Sequence, residues 1–518
     1  MRQCTITLFS VLLFSAVHAQ SILTPNKNFP IAASLRVDRA LWHQLPPSHK
    51  SVILASNLII ELKDQRSFLS DSAAAKIEAS SADEPGFLVV AQQPPTKSGA
   101  VERAISEVSQ VRLRSTVEKL ASFGTRHTLS DTLSEARGIG AARKWIFAEF
   151  QRAAVNAHGR MTVEFHRTTV PPSARVKTST EIVNVVAWLR PPTRETKRAI
   201  IISGHYDSRA SDVLDVLSDA PGANDDGSGT ALVLELARVM ANVQVERTVV
   251  FAAFAGEEQG LLGANAFAEY AAKESLQIDA VLNNDIVGNS SNGEGKTETR
   301  YVRLFSEAFS PLDTGVAFRR RIALGHENDG ASRSLARYIA DVSERYNPEF
   351  GVRLIYRLDR FLRGGDHRPF HQRGIAAVRF SEANENFDGQ HQNVRTENGK
   401  HFGDVPEAMD FAYLANVART NVAALATLAL APASPEGVII RPALDYETTL
   451  SWRRNSESDL AGYVVRIRET NVATWQHSIF TSDTSVTLKQ SKDDFLFGVQ
   501  AVDKAGHASL IQMPSVAR

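Results

Sequence analysis

The stretch Thr248-Val-Val-Phe-Ala-Ala-Phe-Ala255-Gly256-Glu257-Glu258-Gln259-Gly260 runs eight small or apolar residues straight into two adjacent glutamates held between glycines. Apolar residues on both faces mark a strand buried on both sides, as in a parallel sheet covered by helices. Two neighbouring carboxylates at the end of such a strand repel each other and are costly to bury unless cations share them. Fold and chemistry are therefore read from one segment.

The pattern repeats outward. Ile200-Ile-Ile-Ser-Gly-His205-Tyr206-Asp207 ends a second apolar run in an imidazole and a carboxylate, and Leu282-Asn283-Asn284-Asp285-Ile286-Val287-Gly288 ends a third in Asp285. Between them, Pro221-Gly-Ala-Asn224-Asp225-Asp226-Gly227-Ser228-Gly229 precedes a helical run with Leu232, Leu236, Val239 and Met240 at helical spacing. Taken singly, His205 reads equally as a hydrogen-bonded structural histidine. An N-cap accounts for one of Asp225 and Asp226 and leaves the other unexplained. Four polar clusters, each following a strand, instead place a site at the carboxyl ends of an open α/β sheet. Further expectations are a helix over Leu133 to Arg152, strands over Glu181 to Leu189 and Ala376 to Phe380, and loops or a cap over residues 289 to 360.

The fold class is thus α/β: a mostly parallel mixed sheet with helices on both faces, followed by a small β-sandwich. Residues 101–432 carry the alternating pattern. The character changes at Ala431-Pro-Ala-Ser-Pro435, after which short β-rich runs alternate with polar turns over 433–518. In that part Leu450-Ser-Trp452, Asp459-Leu-Ala-Gly-Tyr463 and Phe497-Gly-Val-Gln-Ala-Val-Asp-Lys-Ala-Gly506 resemble a fibronectin type III module. Such a module either binds a surface or packs on the domain before it. Residues 20–100 read as a removable pro-region or a small N-terminal segment and end in the linker Gln92-Gln-Pro-Pro-Thr-Lys-Ser-Gly99.

Residues 1–19 combine Arg2, a short apolar run and small residues at Val17 and Ala19, the pattern of a secretory signal peptide. The expected compartment is periplasmic or extracellular, with no stable membrane anchor, since the run is shorter than a spanning helix requires. The single cysteine, Cys4, lies in that leader. The remaining chain has no thiolate, so any metal must be held by histidine and carboxylate. With 58 Lys+Arg against 58 Asp+Glu, the chain lacks the basic excess of a general nucleic-acid binder.

Together, His205-x-Asp207, Asn224-Asp225-Asp226-Gly-x-Gly229, Gly256-Glu257-Glu258-Gln-Gly260 and Asn284-Asp285 resemble the M28 zinc peptidases in order and spacing. The resemblance extends from about Val111, through Leu120-Ala-Ser-Phe-Gly-Thr-Arg126-His127 and Gly364-Gly-Asp366-His367-Arg-Pro-Phe, to near Leu430. It implies two Zn2+ ions, one held by His205 and Asp285, the other by Glu258 and a late histidine, with Asp225 bridging. Asp207 would orient His205, and Glu257 would be the base that activates a shared water for attack on a peptide substrate. The late histidine matches His391, with His367 the rival and His326, His371 and His401 also downstream; Gln392 and Asn393 follow His391 where the commoner family form has Thr and Asp.

An aminopeptidase is the leading expectation. A carboxypeptidase of the glutamate-carboxypeptidase type, a glutaminyl-cyclase-like enzyme and a non-catalytic secreted binding protein are the alternatives. For the carboxypeptidase, Arg360, Arg363, Arg368 and Arg379 lie in the right half of the domain to grip a terminal carboxylate, although solvated surface positions are the preferred reading of them.

Overall fold

The structure is a computed structural model, described over residues 34–38, 59–63, 97–192 and 197–516. It divides into two compact units, Met1–Leu88 and Val89–Arg518. In the first unit, β1 (Ser34–Asp38) pairs in parallel with β2 (Ile59–Lys63). The signal peptide expected at 1–19 and most of the segment 20–100 lie outside the described residues.

The second unit begins with α1 (Gly99–Ser106), α2 (Gln110–Ala121) and α3 (Gly138–Val155). Helix α3 starts five residues later than the periodicity from Leu133 predicts. Asp131 Oδ1 accepts the Leu133 and Ser134 amides and Ser134 Oγ accepts those of Ala136 and Arg137, so local side-chain turns take the amides a helix would use.

The central sheet has eight strands: β3 (Met161–Val170), β4 (Thr180–Leu189), β5 (Arg198–His205), β6 (Thr248–Phe254), β7 (Gln277–Asn284), β8 (Tyr301–Phe305), β9 (Gly351–Ile355) and β10 (Ala377–Ser381). Their order is β3-β4-β6-β5-β7-β10-β8-β9. The middle four, β6, β5, β7 and β10, are parallel; β4 joins β6, and β8 joins β10, antiparallel. The mixed, mostly parallel sheet expected from the apolar runs is present.

Alternate residues of each strand supply the two faces. Ile200, Ile202, Val249, Phe251 and Leu282 belong to a large core that also includes α4 (Gly227–Met240), α7 (Ala331–Tyr346) and α9 (Phe411–Leu430). Ile201, Val250, Ala252, Phe254 and Val281 form a smaller core with Phe267 of α5 (Leu262–Lys273) and Phe370 of α8 (Arg368–His371). Residues 289 to 360 are more regular than the loops expected of them. They contribute β8, β9, the exposed helix α6 (Gly315–Ala323) and α7, so the sheet extends where a cap was expected. Beyond β10, β11 (Arg395–Glu397) and β12 (Lys400–Phe402) form a hairpin.

The last segment forms two facing sheets. One has the order β17-β14-β13-β19, from β13 (Ile439–Ile440), β14 (Thr448–Ser451), β17 (Ser485–Leu488) and β19 (Ser515–Val516). The other has the order β16-β15-β18, from β15 (Leu460–Glu469), β16 (His477–Thr481) and β18 (Phe495–Asp503). Leu450, Trp452, Tyr463, Val465, Phe497 and Val499 fill the space between them. This part packs on α7 through charge as well as apolar surface. Buried Asp329 accepts Arg468 Nη2 at 2.8 Å and Arg337 Nη1 at 2.8 Å, Arg466 pairs with Asp341 at 2.6 Å, and the Tyr338 hydroxyl donates to the Ala508 carbonyl.

Candidate metal centre

The carboxyl ends of β5, β6 and β7 converge because these strands are adjacent and parallel. His205 is the last residue of β5, Glu257 and Glu258 follow β6, and Asp285 follows β7. Asp225 arrives from the turn before α4, which presses on the strand ends. A Cβ at Gly204 would lie 2.7 Å from the Gly229 carbonyl carbon, and one at Gly229 would lie 2.1 Å from the Asn284 carbonyl oxygen. That approach accounts for the glycines around Asp225.

The two adjacent aspartates divide their work, and the Asp225–Asp226 peptide is cis. Asp226 caps α4 by accepting the Gly229 amide, and it also accepts the amides of His205 and Ile286, so it stitches the helix start to two strand ends. It faces backbone, outside both candidate ligand groups described next.

Two groups of side chains overlap at Asp225: His205, Asp225 and Asp285, and Asp225, Glu258 and His391. Asp225 Oδ1 is 3.2 Å from His205 Nε2, and its Oδ2 is 3.1 Å from His391 Nε2. His205 Nε2 is 3.8 Å from Asp285 Oδ1, and His391 Nε2 is 3.0 Å from Glu258 Oε1. Glu258 Oε1 is buried and, apart from this approach to His391 Nε2, has no partner among the described residues. His391 sits at a φ of 53° in the turn that brings it in. Asn393 fixes that turn by accepting the Ser211 amide and donating its own to Ser211 Oγ.

Asp207 lies behind His205. Its Oδ1 is 3.5 Å from His205 Nδ1, its backbone oxygen is 3.1 Å from that nitrogen, and its carboxylate accepts the Thr128 hydroxyl and the amides of Glu257 and Glu258. It therefore fixes the imidazole and the two glutamates together. Arg126, fully buried, donates to the carbonyls of Tyr206, Leu120, Pro221 and Gly222 and so ties β5 to the Asp225 turn.

The electrostatics call for cations. Burial alone would lower the histidines, yet Asp207, Asp225 and Asp285 hold His205 well above its ordinary value, and Glu258 and Asp225 raise His391 to about 10. Burial, with Asp285, Glu258 and Asp366 nearby, pushes Glu257 well up. Without metal, the cluster holds protons where divalent cations would otherwise offset its charge. The nitrogen and oxygen donors, the divided carboxylate of Asp225 and the orphaned oxygen of Glu258 fit two zinc ions.

His367 belongs to neither group: its Nε2 is 2.8 Å from the Leu358 carbonyl oxygen and the ring is buried. His326, His371 and His401 are outside both groups as well. The solvated reading of Arg360 and Arg379 does not hold. Arg379 is fully buried and pairs with Asp285 and Asp359, and Arg360 pairs with Asp359 and Glu385. An arginine inside the apolar strand Ala376-Ala-Val-Arg379-Phe380 was the signal available for that role. Asp404, whose carboxylate accepts the amides of Asn224 and Asp225, had no such signal.

Residues 184–409 match the sequence model of peptidase family M28. A probable zinc metalloprotease of Leptosphaeria maculans is 43% identical over 410 residues, spanning 79% of this chain and 95% of that protein. The chain belongs to peptidase family M28. A second relative, a probable zinc metalloprotease of Pyrenophora tritici-repentis, is 40% identical over 469 residues, 90% of this chain and 96% of that one. Among solved structures, the aminopeptidase from Aneurinibacillus sp. strain AM-1 is similar to this M28 chain at TM-score 0.45 and 16% identity, covering 64% of this chain and 96% of that one.

Proposed function

We propose that the chain is an exported, zinc-dependent aminopeptidase that removes N-terminal residues from peptides. Two zinc ions would be held by His205 and Asp285, by Glu258 and His391, and by Asp225 between them. The observation that carries this reading is the division of Asp225, whose two oxygens face different histidines, each backed by a further carboxylate. The zinc metalloprotease names of the relatives support the choice of metal.

Bound there, zinc supplies Lewis acidity, acidifying a water and polarising the scissile carbonyl. Glu257 takes the water's proton and returns it to the leaving amine. It is tethered beside ligand Glu258 through the Asp207 contacts, and its raised proton affinity suits a group that must hold a proton between the two transfers. Asp207 keeps the His205 ring oriented and basic. Export rests on the signal-like residues 1–19. A terminal-carboxylate grip needs free guanidinium groups. Arg379 and Arg360 are committed to acids, which removes two of the four arginines considered for that grip.

Dialysis against a chelator followed by zinc return tests the proposal on aminoacyl p-nitroanilides. Activity should vanish and come back with about two zinc ions per chain. Zinc-loaded protein that hydrolyses no free-amine substrate would overturn it.

A further inference from the structure

The turn that carries His391 is pinned on both sides of that residue. After it, Asn393 exchanges hydrogen bonds with Ser211. Before it stands Gln390, buried, whose Nε2 donates to Asp225 Oδ2 at 3.2 Å while its Oε1 accepts Arg363 Nη1 at 3.1 Å. Arg363 is presented by a tight turn in which its amide donates to the Arg360 carbonyl at 3.0 Å, and Arg360 is itself fixed by Asp359 and Glu385.

The partners of Gln390 dictate which way its amide points. A guanidinium only donates and an ionised carboxylate only accepts, so the amide oxygen faces Arg363 and the NH2 faces Asp225. Gln390 is also the only amide donor to that carboxylate among the described residues; its other close neighbours are the ring nitrogens of His205 and His391. Asp404 holds the Asp225 backbone amide, which fixes the main chain and leaves the terminal torsion of the side chain free. That torsion is broad for aspartate unless something pins it. A carboxylate oxygen has two lone-pair directions, so one donor on Oδ2 still leaves room for the approach of His391 Nε2 to the same oxygen at 3.1 Å.

Building on the two-zinc aminopeptidase reading, we propose that Gln390 is the positioning residue of the shared carboxylate. Its hydrogen bond sets the rotation of Asp225 so that Oδ2 serves the group of Glu258 and His391, and Arg363 in turn orients Gln390. The residue next to the late histidine thus prepares the ion site that this histidine completes.

Zinc affinities of the full chain, measured by competition with a chromophoric chelator, test this without any substrate. Gln390→Met keeps the bulk and loses the donor. Gln390→Glu keeps the acceptor for Arg363 and sets a second carboxylate against Asp225. In both variants one of the two zinc ions should bind about 10–100-fold more weakly, the range for losing a partner of a metal ligand, while the other keeps its wild-type affinity. In a His391→Ala background, which lacks the second site, adding Gln390→Met should leave the remaining ion's affinity as it was. A side chain that merely pinned the turn to Arg363 would lose nothing in Gln390→Glu, so wild-type affinities there overturn the proposal. Equal weakening of both ions overturns it too. Should the Gln390 variants fail to fold, Arg363→Met decides: selective weakening of one ion supports the proposal and unchanged affinities defeat it. Selective loss in a protein that hydrolyses no free-amine substrate defeats the aminopeptidase reading alone, and a wild type that binds only one zinc defeats both.

Discussion

Arg379 Nη2 lies 2.7 Å from Asp285 Oδ1, the oxygen that also approaches His205, while its Nη1 lies 3.2 Å from Asp359 Oδ2. One buried guanidinium thus spans two buried carboxylates, one of them a proposed metal ligand. Its planar fork suits that task, and a lysine ammonium could not reach both acids in the same way.

Arg379→Met should accordingly destabilise the fold by about 3–5 kcal/mol, since it leaves buried Asp285 without its guanidinium partner and Asp359 with Arg360 alone. Arg379→Lys should recover only part of the loss. Urea denaturation of the three proteins measures both effects, and a neutral Met variant would contradict the pairing.

Glu257→Gln should lower kcat by about 10²–10⁴-fold, the span of general-base contributions, while metal content by elemental analysis stays at the wild-type level. Wild-type turnover in this variant would remove Glu257 from the mechanism.

His391→Ala should reduce bound zinc from about two ions per chain to about one, because it deprives the Asp225–Glu258 group of its only nitrogen donor. His367→Ala should retain both ions. The reverse outcome would exchange the two histidines.

Burial holds His367 neutral, with its pKa lowered to about 4 from an ordinary 6.5. Between those values the unfolded chain binds more protons than the folded one, so stability is lost as pH falls from about 6.5 toward 4. From pH 7 to pH 5 the loss from this group is about 2 kcal/mol. His367→Gln, which keeps a donor for the Leu358 carbonyl, should flatten that part of the profile. Denaturation of both proteins in chelator, where metal loss is common to them, isolates the difference.

The strands that carry the site were legible because they are buried on both faces: Ile200 to Ile202 and Val249 to Ala255 are continuous apolar runs, and Ala280 to Leu282 is a shorter one. Edge strand β3 was not, because Thr162, Glu164 and Arg167 face solvent among its apolar residues and blur any period. At the site, adjacency of acids in sequence marked Asp225 and Glu258. It did not separate Asp225 from Asp226, since which carboxylate faces the histidines and which caps α4 depends on the turn. Asp404 acts through contacts with the amides of Asn224 and Asp225, 180 and 179 positions away in sequence, and no local pattern marks such contacts.

Asp329, enclosed by Arg337 and Arg468, bears on how the gene could be shortened. A protein ending at the Pro432–Pro435 junction would keep every proposed zinc ligand, yet it would strip Arg468 from the buried carboxylate of Asp329. It would also open the face of α7 that bears Arg337, Tyr338 and Asp341 to water. The terminal sheets therefore serve as a foundation for the hydrolase rather than a detachable tail, and a minimal active enzyme has to retain them or redesign that helix.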